Sequence, residues 1–261
     1  MTAADVRAAI RAGTTTGPTE RLAPEHVQAN LVVVPRRYAG ELTDLCARNP
    51  VPCPLLERLP AGAFEPNCAP GADLRTDLGR YRVWRNGELA EQPRDVRAHW
   101  SDDLVAFLIG CSFTFDHALA KANLPARHYA LGRNVPMYRT RVLLAPAGRL
   151  QGTMVVSMRP YKRGEIERVR EVTRRYRIGH GEPFAWDHPA QLGIADLMQP
   201  DYGDPPVLEP HDVPVFWGCG VTPQNVIVTS GVPFALTHEP GHMFVTDLRH
   251  AALATQMDIL S

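Results

Sequence analysis

The chain has 261 residues, 28 acidic and 28 basic, with 44% hydrophobic and 21% charged side chains. That is enough for one large or two smaller domains around a substantial core. Zero net charge gives no field favouring nucleic acid or an anionic membrane, and no apolar stretch approaches the ~18 residues of a spanning helix.

Five cysteines without a CxxC spacing argue against a disulfide scaffold or a structural zinc site. The N-terminus lacks the basic-then-apolar order of a secretory signal, so a cytoplasmic protein is the default expectation. Lysine occurs only at Lys121 and Lys162, leaving arginine forks, suited to bidentate carboxylate binding, as nearly all the positive charge.

In chain order, residues 3–12 read as a short helix ending at Gly13, and residues 24–33 as a second that stops before Pro35. A third helix spans 36–49, with Tyr38, Leu42, Leu45 and Cys46 on one face. Residues 51–80 are rich in Pro and Gly and read mostly as loop. Asn86-Gly87 marks a hairpin, because a tight turn needs positive φ there. The apolar run 104–109 fits strand or helix, its β-branched and aromatic content favouring strand, and 115–123 is helical in pattern. Two strands follow at 137–145 and 154–160, then an amphipathic helix over 164–176. A strand at 183–187 and a short helix at 189–198 precede two buried strands at 213–217 and 234–237. Strand-helix alternation argues for α/β layering. Residues 138–210 have their own rhythm, as a second domain inserted between 1–137 and 211–261 would.

Four constellations could carry chemistry. Gly110-Cys111-Ser112 precedes a helix, where a thiol, a hydroxyl or a bound carboxylate meets the positive end of the macrodipole. Gly218-Cys219-Gly220-Val221-Thr222-Pro223-Gln224 repeats that logic, with Thr222 suited to a cap and Pro223 to the first helical position; an ordinary strand-to-helix turn with a buried cysteine is the plainer alternative. Arg133, Asn134, Tyr138, Arg139 and Thr140 crowd one segment, and Arg159 stands at a strand end. His238-Glu239-Pro240-Gly241-His242 spells the H-E-x-x-H string of zinc proteases, but Pro240-Gly241 disfavours the helix that site requires. A looser metal site from His238, His242 and Asp247, a proton-transferring histidine, or two loop histidines bonded to backbone all stay open. No Walker loop, GxGxxG or GxSxG is present, which leaves nucleotide cofactors and α/β-hydrolase chemistry without support.

Together these strings resemble the D-glutamate cyclase-like family, also labelled as hydro-lyases. The resemblance is carried by Gly17-Pro18-Thr19, 27–31, 49–57, 69–77 and 107–113, then by 132–140, 155–160, 216–224 and 237–247, nearly end to end; Glu239 departs from the family pattern. It implies a Rossmann-like three-layer α/β/α domain with an inserted two-layer α/β sandwich. The implied activity is loss of water from a small amino or carboxylic acid, with D-glutamate going to 5-oxoproline as the leading case. Dehydration or hydration of another small acid, or a non-catalytic acid-binding accessory role, are the rivals.

Such chemistry asks for a carboxylate grip, a base, an acid and oxyanion donors. His238, His242, Cys111 and Tyr138 are the expected catalytic residues. Ser112, Asn134, Arg139, Arg159, Cys219, Thr222 and Gln224 are the expected substrate contacts. No cofactor is expected. A divalent metal would polarise the carboxyl, though no string demands one. The expected partner is the small acid itself, with neither nucleic acid nor membrane, and a homodimer stays open.

Overall fold

The computed structural model describes residues 1–251. The chain runs α1 (Ala3–Arg11), β1 (His26–Pro35), α2 (Arg36–Arg48), β2 (Leu55–Arg58), β3 (Tyr81–Arg85), β4 (Glu88–Glu91), β5 (Leu104–Gly110), α3 (Phe113–Lys121) and α4 (Arg127–Leu131). It continues β6 (Met137–Leu143), β7 (Thr153–Lys162), α5 (Ile166–Arg174), β8 (Ala185–Trp186), β9 (Asp212–Gly218), α6 (Thr222–Thr229), β10 (Phe234–His238) and β11 (Phe244–Arg249). The hairpin between β3 and β4 turns at Asn86 (φ 52°) and Gly87 (φ 82°), as its sequence requires.

The largest correction is at residues 24–33, expected as a helix. They form most of β1, the central strand, with residues 27–34 buried without a break. A strand covered on both faces loses its alternation and cannot be told from a buried helix by period alone. β2, inside the expected loop, and β11 also went unread.

Two sheets result. The larger has the order β2-β5-β1-β10-β3-β4, and β11 pairs with β1 beside β10. The smaller has the order β6-β7-β9-β8. Among the described residues every strand pair is antiparallel. The fold is mixed α/β, but the strands are not ordered as the parallel sheet that a Rossmann-like label suggests. β9, assigned from sequence to the larger unit, pairs with β7 from Val156↔Gly218 to Lys162↔Asp212. That pairing is a long-range match which the Pro-rich composition before it cannot reveal.

One face of the larger sheet, including Leu31, Val33, Ala106 and Leu108, packs on Leu59, Leu74 and Leu78. The opposite face, with Val32, Val34 and Phe107, shares a core with Leu42 and Leu45 of α2, Val226 and Ile227 of α6, and Tyr138 and Phe216 of the smaller sheet. On its far side the smaller sheet presents Tyr161, Val215 and Trp217 to Phe115 of α3 and Val169 of α5. Sandwiched this way, the ends of β5 and β9 are brought to one place.

Candidate functional site

β5 and β9 each end at a glycine and pass through a cysteine into a helix. In both turns the sulfur accepts from an amide two residues on: Cys111 from Phe113 N–H, Cys219 from Val221 N–H. The turns touch. A Cβ built on Gly220 would lie 1.9 Å from Asn30 Nδ2 and 2.5 Å from the Gly110 carbonyl oxygen. Asn30 Nδ2 donates to that same oxygen at 2.8 Å. Cys111 and Cys219 share an apolar cluster with Met137, Val155 and Met243, and Tyr202 packs against it. Burial pushes the Cys219 thiol up to about 11 and the Cys111 thiol higher still. Both are therefore protonated at neutral pH, so Cys111, expected to be catalytic, has no thiolate to offer.

Behind Ser112 lies a sealed polar network. The Arg159 guanidinium is fully buried and forks onto Asp116 of α3 with bonds of 2.6 and 2.5 Å. It also donates to Ser112 Oγ at 3.0 Å and Ser157 Oγ at 3.1 Å, and lies over the Phe115 and Trp217 rings at 4.8 and 5.2 Å. Arg159 and Ser112 thus meet, as expected, but the arginine is already occupied by a carboxylate of its own chain.

Next to Asp116 sit Glu20 and His128, 2.9 Å apart through Oε1 and Nε2. Burial pushes the Glu20 carboxyl up to about 7, against the pull of Arg159, Asp116 and Arg21, and pushes His128 down to about 3. Both shifts favour a neutral pair, a protonated Glu20 donating to an uncharged His128.

A pH prediction follows from Glu20. The folded state keeps a proton on Glu20 that the unfolded state releases near pH 4.5, so the Glu20 contribution to stability falls as the pH rises through 5 to 8. His128 and His238, protonated in the unfolded state below about 6.5, act in the opposite sense over the lower part of that range. The Glu20 loss amounts to at most about 3 kcal/mol. Glu20→Gln keeps a donor to His128 and removes this contribution, so in urea melts taken across this range the stability of the wild type should fall relative to that of the variant as the pH rises. An unchanged slope would mean Glu20 titrates normally.

The remaining expected residues divide by strand pleat and loop path. Tyr138 faces the shared core and donates to the Leu197 carbonyl at 2.6 Å, whereas Met137 beside it points into the cysteine cluster. Tyr138 therefore faces away from the turns. Arg139, half exposed, donates to the Tyr202 hydroxyl at 2.9 Å and so rims the cluster. Thr222 has its hydroxyl bound to both the N–H and the carbonyl of Val155, a structural use. Gln224 is fully buried, and neither its amide oxygen nor its nitrogen has a partner.

His238 ends β10, and its Nδ1 lies 3.3 Å from Leu31 N and 3.2 Å from Leu31 O, filling the gap between β10 and β11 along β1. Its Nε2 is buried without a partner, and burial holds the ring down to about 4, uncharged at neutral pH. His242 Nε2 lies 3.3 Å from the Thr16 carbonyl, and its Nδ1 is likewise buried and unpartnered. Asn134 Nδ2 reaches the Pro240 carbonyl at 3.2 Å, and its Oδ1 is free. Glu239 forks with Arg82 at 2.6 and 2.8 Å, and Asp247 pairs with Arg7 at 2.9 Å. A strand followed by a turn replaces the helix a zinc-protease site needs, and both acids of that neighbourhood are taken.

A sequence profile described as D-glutamate cyclase matches residues 105–247, more than half of the chain. A relative from Streptomyces coelicolor is 54% identical over 93% of this chain and 87% of its own. Relatives from Bordetella petrii (51%, covering 97% and 96%) and Rubrobacter xylanophilus (52%, covering 95% and 96%) are as near. The chain belongs to the D-glutamate cyclase family. All three relatives carry the name "Putative hydro-lyase". A nitrogen repressor-like protein from Methanococcus jannaschii superposes over 96% of this chain and 99% of that one with a TM-score of 0.40 at 11% identity, too loose a likeness to argue from. No helix among the described residues is long and apolar enough to cross a membrane.

Within this member of the D-glutamate cyclase family, Glu20, Asp116 and His128 form a buried polar group behind the candidate site that the sequence did not single out. A signal existed for Asp116, a lone acid on the buried face of the apolar helix α3. Glu20 and His128 are 108 residues apart and gave none. The same three offer ligand atoms within 4.8 Å of one another, the one such group among the described residues. Since both Asp116 oxygens already bind Arg159, a cation there would have to compete with a buried guanidinium.

Proposed function

We propose that this protein removes water from a small amino acid, cyclising glutamate to 5-oxoproline. The amine nitrogen bonds to the γ-carboxyl carbon, the C–O bond breaks, and the hydroxyl leaves as water with one added proton. The nitrogen gives up its proton to a base. The observation that carries this reading is the contact between two glycine-bounded turns from different sheets, each opening a helix. The positive ends of α3 and α6 suit the negative oxygens of an acid and of its tetrahedral intermediate. Gln224, buried with both amide atoms free, supplies a donor and an acceptor at the start of α6.

The roles shift from those expected on sequence. Arg159, committed to Asp116, holds Ser112 in place, and the grip on the substrate carboxylate passes to the half-exposed Arg139. His238 and His242 are neutral rings with a free nitrogen each, which suits proton transfer to and from the amine and the leaving oxygen. Membership of the D-glutamate cyclase family and the hydro-lyase names of close relatives support loss of water as the reaction type.

The test is turnover. D- and L-glutamate are incubated with the protein, with and without Mn²⁺ or Mg²⁺, and 5-oxoproline is sought by mass. His242→Ala and Arg139→Ala should each lower the rate at least ~100-fold while leaving thermal unfolding in place. Wild-type rates in both variants would remove these assignments. Binding of glutamate with no product under any condition would favour an accessory role instead.

A further inference from the structure

The two glycine turns are backed by a common wall. A Cβ on Gly110 would lie 1.6 Å from the Ile178 carbonyl oxygen, and one on Gly218 would lie 3.2 Å from the Val51 oxygen and from Pro52 Cα. His180 Nδ1, 2.8 Å from the Val51 carbonyl oxygen, ties these two wall segments together. A Cβ on Gly179, between them, would lie 3.1 Å from the Cys111 carbonyl oxygen.

On the outer side of this wall opens a cleft of about 540 Å³, lined by Val51, Arg174, Arg177, His180, Glu182 and Phe184 among others. A volume of a few hundred Å³ suits a small ligand. At its inner end His180 is 2% exposed, yet its Nε2 is buried with no partner. At its mouth Arg174 and Arg177 are exposed. Arg174 shares Glu182 with Arg170, at 3.7 and 2.9 Å, while Arg177 has no ion pair among the described residues. The mouth therefore carries two guanidinium groups against one shared carboxylate, with the buried His180 ring among the lining residues.

We propose that this cleft is where the small acid first binds, its carboxylate held by Arg177 and its inner end facing His180, one wall away from the Gly110 and Gly218 turns. The inference rests on the small-acid reading above and assigns a binding role to residues outside the turns. An exposed guanidinium without a partner costs nothing to redirect to a carboxylate, and the fork geometry favours two bonds. The His180 ring, pushed down to about 4 by burial, is uncharged and does not repel an amine.

The experiment separates the cleft from the reaction. Calorimetric titrations with D-glutamate, L-glutamate, 5-oxoproline and succinate are compared for the wild type, Arg177→Glu, and Arg97→Glu. The last removes an exposed arginine that lines a different cleft. The wild type should bind at least one of these acids, Arg177→Glu should bind it roughly tenfold more weakly, and Arg97→Glu should stay within about twofold. Absence of wild-type binding to all four acids, equal binding by Arg177→Glu, or equal weakening by Arg97→Glu would overturn the proposal. Binding that depends on Arg177 without turnover of glutamate would leave the cleft standing and refute the cyclisation.

Discussion

Arg159→Met should destabilise the protein by roughly 3–5 kcal/mol, because it strips the partner from an acid with no access to water. Asp116 would keep a fully buried carboxyl with neither of its two guanidinium bonds, beside Glu20. The double variant Arg159→Met with Asp116→Leu removes both charges and should recover most of the loss, since apolar side chains of similar volume pack as well as a buried pair. It should not recover activity, because Ser112 would still lack its 3.0 Å donor. Urea unfolding of the three proteins, read beside their turnover, checks both halves. Similar stability of the single variant and the wild type would show that Asp116 sheds its charge at no cost. Full activity in the double variant would remove Ser112 positioning from the mechanism.

Gly220→Ala should abolish activity, with a loss of at least ~100-fold from displacement of the two turns alone. The added methyl would meet Asn30 Nδ2 at 1.9 Å and the Gly110 oxygen at 2.5 Å, distances no relaxed structure holds. The Asn30 bond to Gly110, which ties β1 to the first turn, must break or the second turn must withdraw. Gly164→Ala, where a Cβ meets nothing within 4 Å, serves as the control and should behave as wild type. Turnover, measured with thermal unfolding to confirm a folded protein, decides the matter. Normal rates in Gly220→Ala would mean the contact between the turns does not matter to function.

Much of this site could be read from residue order, and the part that could not has a physical cause. Both cysteine turns were legible because glycine, cysteine and a helix start are local signals, and the structure brings them into contact. The disqualification of the H-E-x-x-H string was equally local, resting on Pro240 and Gly241, and the segment is indeed a strand end and a turn. Arg159 was picked out by its place at a strand end, but its partner Asp116 lies 43 residues away and no spacing rule links them. Tyr138 was misplaced because its neighbours invited grouping by proximity in sequence, while the pleat sends adjacent side chains to opposite faces. The helix expected over 24–33 failed for the opposite reason. β1 is enclosed so completely that its sequence carries apolar content without period.

That enclosure has a consequence for how the molecule is made. β1 leaves the ribosome well before its neighbours β5, β10 and β11, the last two supplied by residues 234–249. The middle of the larger sheet cannot be completed until residues 234–249 have been synthesised. Until then the nascent chain carries an unprotected run from Leu31 to Val34, the kind of segment that sticks to its own copies or recruits a chaperone.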